Sequence, residues 1–151
     1  VLCAAPSYLR HRGTPASPLE LQEHDCLCFM LGDDVHDRWK FERNGQPATF
    51  VRVRAVNVSN DGDVVRRWAL LGKGIAYKSY FDVAQDLASG RLHAICEDWQ
   101  GESTPLYLLV AGRQQITPLL RQLHQFMQER LEHWEQQHHQ SALSVASTAA
   151  W

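Results

Sequence analysis

Apolar residues fall in short bursts along most of the chain and in one long, spaced series near its end. The burst "VLCAA" (1–5) reads as a buried strand, and Pro6 followed by Gly13 predicts a short helix over 6–13. Ser17 can cap and Pro18 can open another short helix over 18–23, with Leu19 and Leu21 as its apolar face. "CLCFML" (26–31) is a second buried strand and "GDDVHD" (32–37) a polar loop. Over 38–59, Asn44-Gly45 predicts a tight hairpin turn, type I′ or a close relative. Trp39 and Phe41 lie on one arm and Phe50, Val51 and Val53 on the other, where alternation puts Arg52 and Arg54 on a solvated face.

The stretch "SNDGDVVRRWALLGKGIAYKSYF" (59–81) reads as a helix between two strands. Asn60 or Asp61 can cap the helix, and Asp63 sits in the first turn, where the helix dipole favours a carboxylate. Val64, Val65, Trp68, Ala69 and Leu71 recur at helical spacing, Gly72 or Gly74 ends the helix, and "IAYK" starts the next strand. A short helix within 79–92 is stopped by Gly90, a strand covers 92–95, and a loop (96–105) leads to the strand "LYLLVA" (106–111). Thr117 and Pro118 then open a long helix whose Leu119, Leu120, Leu123, Phe126, Met127, Leu131 and Trp134 form one stripe. Past His138 the periodicity fails, so residues 136–151 are expected to be a frayed tail. Strands alternating with helices predict an α/β domain with a largely parallel sheet.

Composition narrows the function. A chain of 151 residues can form a genuine core, and its net charge of -2 offers no clustered basic footprint for a phosphate backbone. No apolar run reaches the length of a membrane span. "VLCAA" begins without a charged lead-in or leader pattern, and we expect it to lie inside a larger fold. Cys3, Cys26, Cys28 and Cys96 lack zinc spacing, and Cys26 and Cys28, two apart on a strand, are poorly placed to bond each other, which fits reduced thiols in a core.

Chemistry-bearing motifs are sparse. There is no G-x-S-x-G elbow and no phosphate loop, and "GKG" (72–74) reads as a helix stop. Asp33, Asp34 and Asp37 lack the glycine and closing glutamate of a calcium loop, so neither a metal nor a cofactor is expected. The mouth of the helix after residue 60 stands out instead, because ligands of open α/β folds bind beyond the carboxyl ends of strands.

Six separated motifs, "VLCAAPSYL", "SPLELQEHDCLCF", "WKF", "VNVSNDGDVVRRWALLGKGIAY", "DVAQDLASGRLHAICEDW" and "LYLLVAGRQQITPLLRQLHQFMQERL", follow in an order that resembles the C-terminal part of the effector-binding domain of LysR-type transcriptional regulators. The likeness runs from Val1 to about Leu131. It implies a periplasmic-binding-protein-like (type 2) fold, truncated at its N-terminus, with a mixed, mostly parallel sheet and flanking helices. Residues 1–95 would be the second lobe, and 96–135 the returning strand and terminal helix of the first. The winged helix-turn-helix that reads DNA would be absent, so DNA would be met only through that missing domain.

Carried over residue by residue, the resemblance places effector contacts at Phe29, Met30 and Leu31, at Ser59, Asn60 and Asp61, and at Tyr77, Lys78 and Ser79. Many family members carry Leu-Pro or Gln-Pro where Tyr77-Lys78 stands, and a lysine there hints at an anionic effector. The implied function is a non-enzymatic, cytoplasmic sensor that binds a small molecule between lobes and modulates DNA-bound oligomers. A transport-associated solute-binding protein of the same fold is the alternative, and an enzyme is disfavoured for want of converging catalytic groups. Without its usual sheet the helix from 117 is expected to self-associate, as in a dimer that swaps the terminal strand and helix.

Overall fold

A computed structural model of the chain describes residues 1–102, 107–112 and 117–148. It divides into two compact units, Val1–Thr104 and Pro105–Trp151. In chain order the first unit contains β1 (Leu2–Ala4), α1 (Pro6–Arg12), a 3-10 helix (Pro18–Glu23), β2 (Cys26–Leu31), β3 (Asp34–Val35), β4 (Arg38–Glu42) and β5 (Thr49–Arg52). There follow β6 (Ala55–Ser59), α2 (Gly62–Leu70), β7 (Ile75–Tyr77), α3 (Tyr80–Ala88), β8 (His93–Ile95) and β9 (Gln100–Gly101).

The main sheet is mixed. β6 and β7 flank β2 in parallel, β1 joins β7 and β8 antiparallel, and β3 pairs with the last two residues of β2. Parallel pairing is thus confined to the β6-β2-β7 part. A second, three-stranded antiparallel sheet has the order β5-β4-β9. Strand alternation feeds two cores. Leu2, Cys26, Cys28 and Ile75 face Tyr8, Leu21, Trp39, Phe41 and Val51 on one side. Cys3, Leu27 and Ala76 face Val65, Ala69 and Val83 on the other. All four cysteines are free, and burial pushes Cys3, Cys26 and Cys28 up to about 12 and Cys96 up to about 11, so the thiols stay protonated at neutral pH.

Short-range signals translate directly into element ends. Pro6 opens α1 and Gly13, at φ 84°, returns its N–H to the Leu9 carbonyl at 2.9 Å. At the end of α2, Gly72 (φ 68°) donates to Ala69 O at 2.9 Å and Lys73 to Trp68 O at 3.0 Å, the paired bonds of a Schellman stop. Gly74 serves a different need. A Cβ there would collide with the carbonyl of Asp25, which accepts the Ile75 N–H at 2.9 Å.

Three expectations change. The hairpin over 38–59 is not one unit, because only β4 and β5 pair. Val53, buried in the core, ends the second arm, and β6 crosses to the main sheet beside β2, with a register shift between Cys26 and Leu27. The turn itself has a positive φ at Gly45 alone, with Gln46 N–H donating to Arg43 O at 3.0 Å, which is the type II pattern. Within the expected loop 32–37, Gly32 at φ 61° lets β3 fold back on β2.

A buried carboxylate ties the second core together. Asp86 is fully buried, yet it accepts from Arg66 Nε at 2.6 Å and Nη2 at 3.1 Å and pairs with Arg91 at 2.5 Å, joining α2, α3 and the approach to β8. Arg66 also reaches Asp63 at 3.2 Å. Opposite, Tyr8 accepts the Asp25 N–H at 2.9 Å and lies 3.1 Å from Nδ1 of the buried His24. Desolvation lowers the His24 pKa, which favours the neutral ring in this contact.

In the second unit Thr117 caps α4 (Pro118–Thr148), its hydroxyl accepting Leu120 N–H at 3.3 Å, and Pro118 stands at the first helical position. The helix runs past His138, where the periodicity fails, and only 149–151 of the expected tail lie outside the described residues. Tyr107–Val110 form no strand, and Leu106 lies outside the described residues. A strand-forming run becomes a strand only where a neighbour offers a ladder to join. Leu119, Leu123, Phe126 and Met127 are exposed on α4. No helix among the described residues is long and apolar enough to cross a membrane.

The Asp86 clamp makes a measurable claim. Asp86→Ala strands two arginines, one of them mostly buried, and should lower the unfolding free energy by about 3 kcal/mol. Urea denaturation followed by tryptophan fluorescence reads this, and a loss below about 1 kcal/mol would show the clamp to be dispensable.

Candidate functional site

The parallel strands β6, β2 and β7 end at one edge of the main sheet, and the three segments expected to meet an effector lie at or just beyond these ends. Phe29 stands in register with Ser59, and because Leu27 pairs with Ala76, Tyr77 and Lys78 follow alongside Cys28 and Phe29. Ser59, Asn60 and Asp61 make the turn from β6 into α2, and Ser79 leads from β7 into α3. Two helices therefore begin at this edge.

Both the turn and the lysine are largely self-satisfied. The Asp61 carboxylate accepts from the N–H groups of Asp63 at 2.8 Å and Val64 at 3.4 Å, while Ser59 Oγ accepts the Asp61 N–H at 3.1 Å. The cap is Asp61, and its charge occupies the positive end of α2 that an external anion would seek. Arg66, with Arg67 beside it, holds the Asp63 carboxyl below its usual range. Lys78, only 11% exposed along its side chain, donates to Gly62 O at 3.0 Å and pairs with Asp82 at 2.8 Å. It links the first turns of α2 and α3.

The nine residues do not act as one surface. Phe29 is 38% exposed, Asn60 and Ser79 are open to solvent, and no described side-chain bond ties Asn60. Met30 and Leu31 pair with Val35 and Asp34, so Leu31 is carried outward along the β2–β3 arm. Tyr77 turns to the opposite face, where its ring lies 5.2 Å from Trp39 and 5.4 Å from Phe41. Burial raises its pKa and keeps the phenol protonated. A cavity of about 240 Å³ beside the strand ends is lined by Leu2, Phe41, Tyr77, Ile95, Cys96 and Trp99 among others, and of the nine only Tyr77 reaches it. Sequence reading missed this aromatic lining because Phe41 and Trp99 reach it only through pairing of β4 with β9. Among the described residues no three His, Cys, Asp or Glu side chains converge as metal ligands would.

The model of the LysR substrate binding domain matches residues 1–132. The chain belongs to that family. This LysR-family chain is 40% identical over 114 residues to the HTH-type transcriptional activator TtdR of Escherichia coli, covering 71% of the chain and 36% of TtdR. It is 31% identical over 136 residues to the probable HTH-type transcriptional regulator LtrA of Klebsiella pneumoniae, covering 85% of the chain and 42% of LtrA. The chain thus spans well under half the length of these relatives.

Solved structures agree on the fold. The regulatory domain of AphB from Vibrio vulnificus superposes with a TM-score of 0.61 at 22% identity, covering 68% of this chain and 49% of that one. That of CrgA, a LysR-type regulator from Neisseria meningitidis, gives 0.57 at 29% identity, covering 68% and 48%. The periplasmic-binding-protein-like α/β architecture is therefore the fold of this LysR-family chain.

Capping separates two neighbours at the edge. Asp61→Ala should cost about 1 kcal/mol of stability through the lost cap, whereas Asn60→Ala, with no described bond to lose, should stay within about 0.5 kcal/mol. Equal losses in urea denaturation would remove Asp61 from the capping role.

Proposed function

We propose that this chain is the effector-sensing module of a LysR-type bacterial transcriptional regulator, which holds a small molecule at the strand-end edge and passes its occupancy to DNA-bound oligomers. The observation that carries the reading is the meeting of Phe29, Ser59, Asn60 and the Tyr77–Ser79 segment at the carboxyl ends of three parallel strands in a substrate-binding-domain chain. The module acts by binding rather than catalysis, needs no cofactor and works in the cytoplasm. DNA is met through a domain outside this chain. The relatives named above are transcriptional regulators, which favours this reading over a transport solute-binding protein.

Residues 1–95 serve as the second lobe, and the segment from 96 to 135 belongs with a first lobe that closes the cleft. Exposed Phe29, the Ser59 hydroxyl and the unbonded Asn60 amide make a mixed apolar and hydrogen-bonding edge suited to a small organic acid or amide. A carboxylate effector would have to share Lys78 with Asp82. In the complete regulator, a reporter assay against a panel of small carboxylates and amides tests the site. Asn60→Ala should raise the half-saturating concentration of the active compound about tenfold. An unchanged response in both Asn60→Ala and Asp61→Ala would take this turn out of the site.

The partner we propose beside the effector is a second copy of the chain. Its support is the apolar stripe of α4, with Leu119 74% and Phe126 53% exposed, beside the exposed Tyr107–Val110 run. Exchange of this segment and helix between copies, the segment pairing as a strand only in the partner, would cover both. Sedimentation should show a dimer that Leu123→Glu with Phe126→Glu dissociates, and a monomer across all concentrations would refute the pairing.

A further inference from the structure

We propose that Tyr77 is a positioning residue that straps the segment Gln100–Glu102, where the chain leaves the first unit, onto β4. The strap makes the course of that segment depend on the end of β7, the same strand end that carries Lys78 and Ser79.

Four contacts carry this. The Tyr77 ring is fixed on one side by Trp39 and Phe41, and His36 stacks on it with planes 10° apart. Its hydroxyl accepts the Glu102 N–H and lies 3.4 Å from the Lys40 carbonyl, so both its donor and its acceptor capacity are turned to β4 and the departing segment. Gly101 lies against the hydroxyl end of the ring, where a Cβ would stand 2.7 Å and 2.8 Å from ring carbons. His36 Nε2 approaches Glu102 Oε2 at 3.5 Å, beside the same ring. β9 itself holds only two residues to β4, Gln100 opposite Glu42 and Gly101 opposite Phe41. So short a strand does not stay paired unaided. The tyrosine supplies what the ladder lacks.

Hydrogen–deuterium exchange on the whole, ligand-free chain tests the strap, so its outcome is separate from that of the effector reading. Tyr77→Phe keeps the ring and removes the hydroxyl. It should speed exchange in peptides covering 100–102 about tenfold and leave β1 and β2 unchanged. Tyr8→Phe is the control, since it deletes a hydroxyl that accepts the Asp25 N–H in the same unit. It should loosen the chain around Asp25 and not at 100–102. Unchanged exchange at 100–102 in Tyr77→Phe, or an equal rise there in Tyr8→Phe, overturns the proposal. Gly101→Ala should release the segment when Tyr77 is present and add little in a Tyr77→Ala background. Equal effects in both backgrounds would show that the ring does not select the glycine, and the strap would again fail.

Discussion

Burial of β1, β2 and β7 on both faces is the constraint from which the first unit follows. Successive residues of these strands enter opposite cores, so neither face can be left to solvent. A fully buried Leu or Ile is worth about 1.5–3 kcal/mol relative to exposure, and Leu27 and Ile75 are both fully buried. One face is closed by α2 and α3, the other by α1, the 3-10 helix and the β4–β5 hairpin. Two-sided packing also fixes where the strands stop. The strand-end edge is therefore held by the core rather than by the loops that decorate it.

Electrostatics at that edge are mostly internal. Asp61 answers the amides of α2, Lys78 is answered by Asp82, and Asp86 is answered by two arginines. These pairs set the spacing of the two helices and leave few charges unspent. What remains open is modest in polarity, an amide and a hydroxyl beside an aromatic ring. Such an edge is suited to recognition by shape and directed hydrogen bonds rather than by charge.

Elements set by neighbouring residues were legible in the sequence. Pro6 with Gly13, Pro18, Asp61, Gly72 and the Thr117-Pro118 pair all mark ends in the structure, since caps and stops act over about one turn of chain. Partners far apart in sequence were not. Nothing near Val53 announces that β6 will leave the hairpin for β2, and nothing near Gln100 announces β4 as its neighbour. Asp86 left a faint trace as a charge within the apolar stripe of α3, between Val83 and Leu87, and only the fold brings Arg66 to it. That Ser59, Asn60 and Asp61 stand between a strand end and a helix mouth was legible from the strand–helix pattern. That Tyr77 would turn inward and Lys78 would pair with Asp82 depended on which way each faces at the end of β7.

The stop after α2 carries a consequence for how this family member can drift over generations. Its two glycines are held by unrelated demands, Gly72 by a backbone angle and Gly74 by the carbonyl of Asp25 pressed against it. Asp25 in turn is ion-paired with Arg54 and gives its N–H to Tyr8. A larger residue at 74 therefore becomes acceptable only after the segment at 25 has moved, and that segment is moored to two others. Position 74 is thereby closed to larger side chains for as long as the backbone at 25 keeps its place.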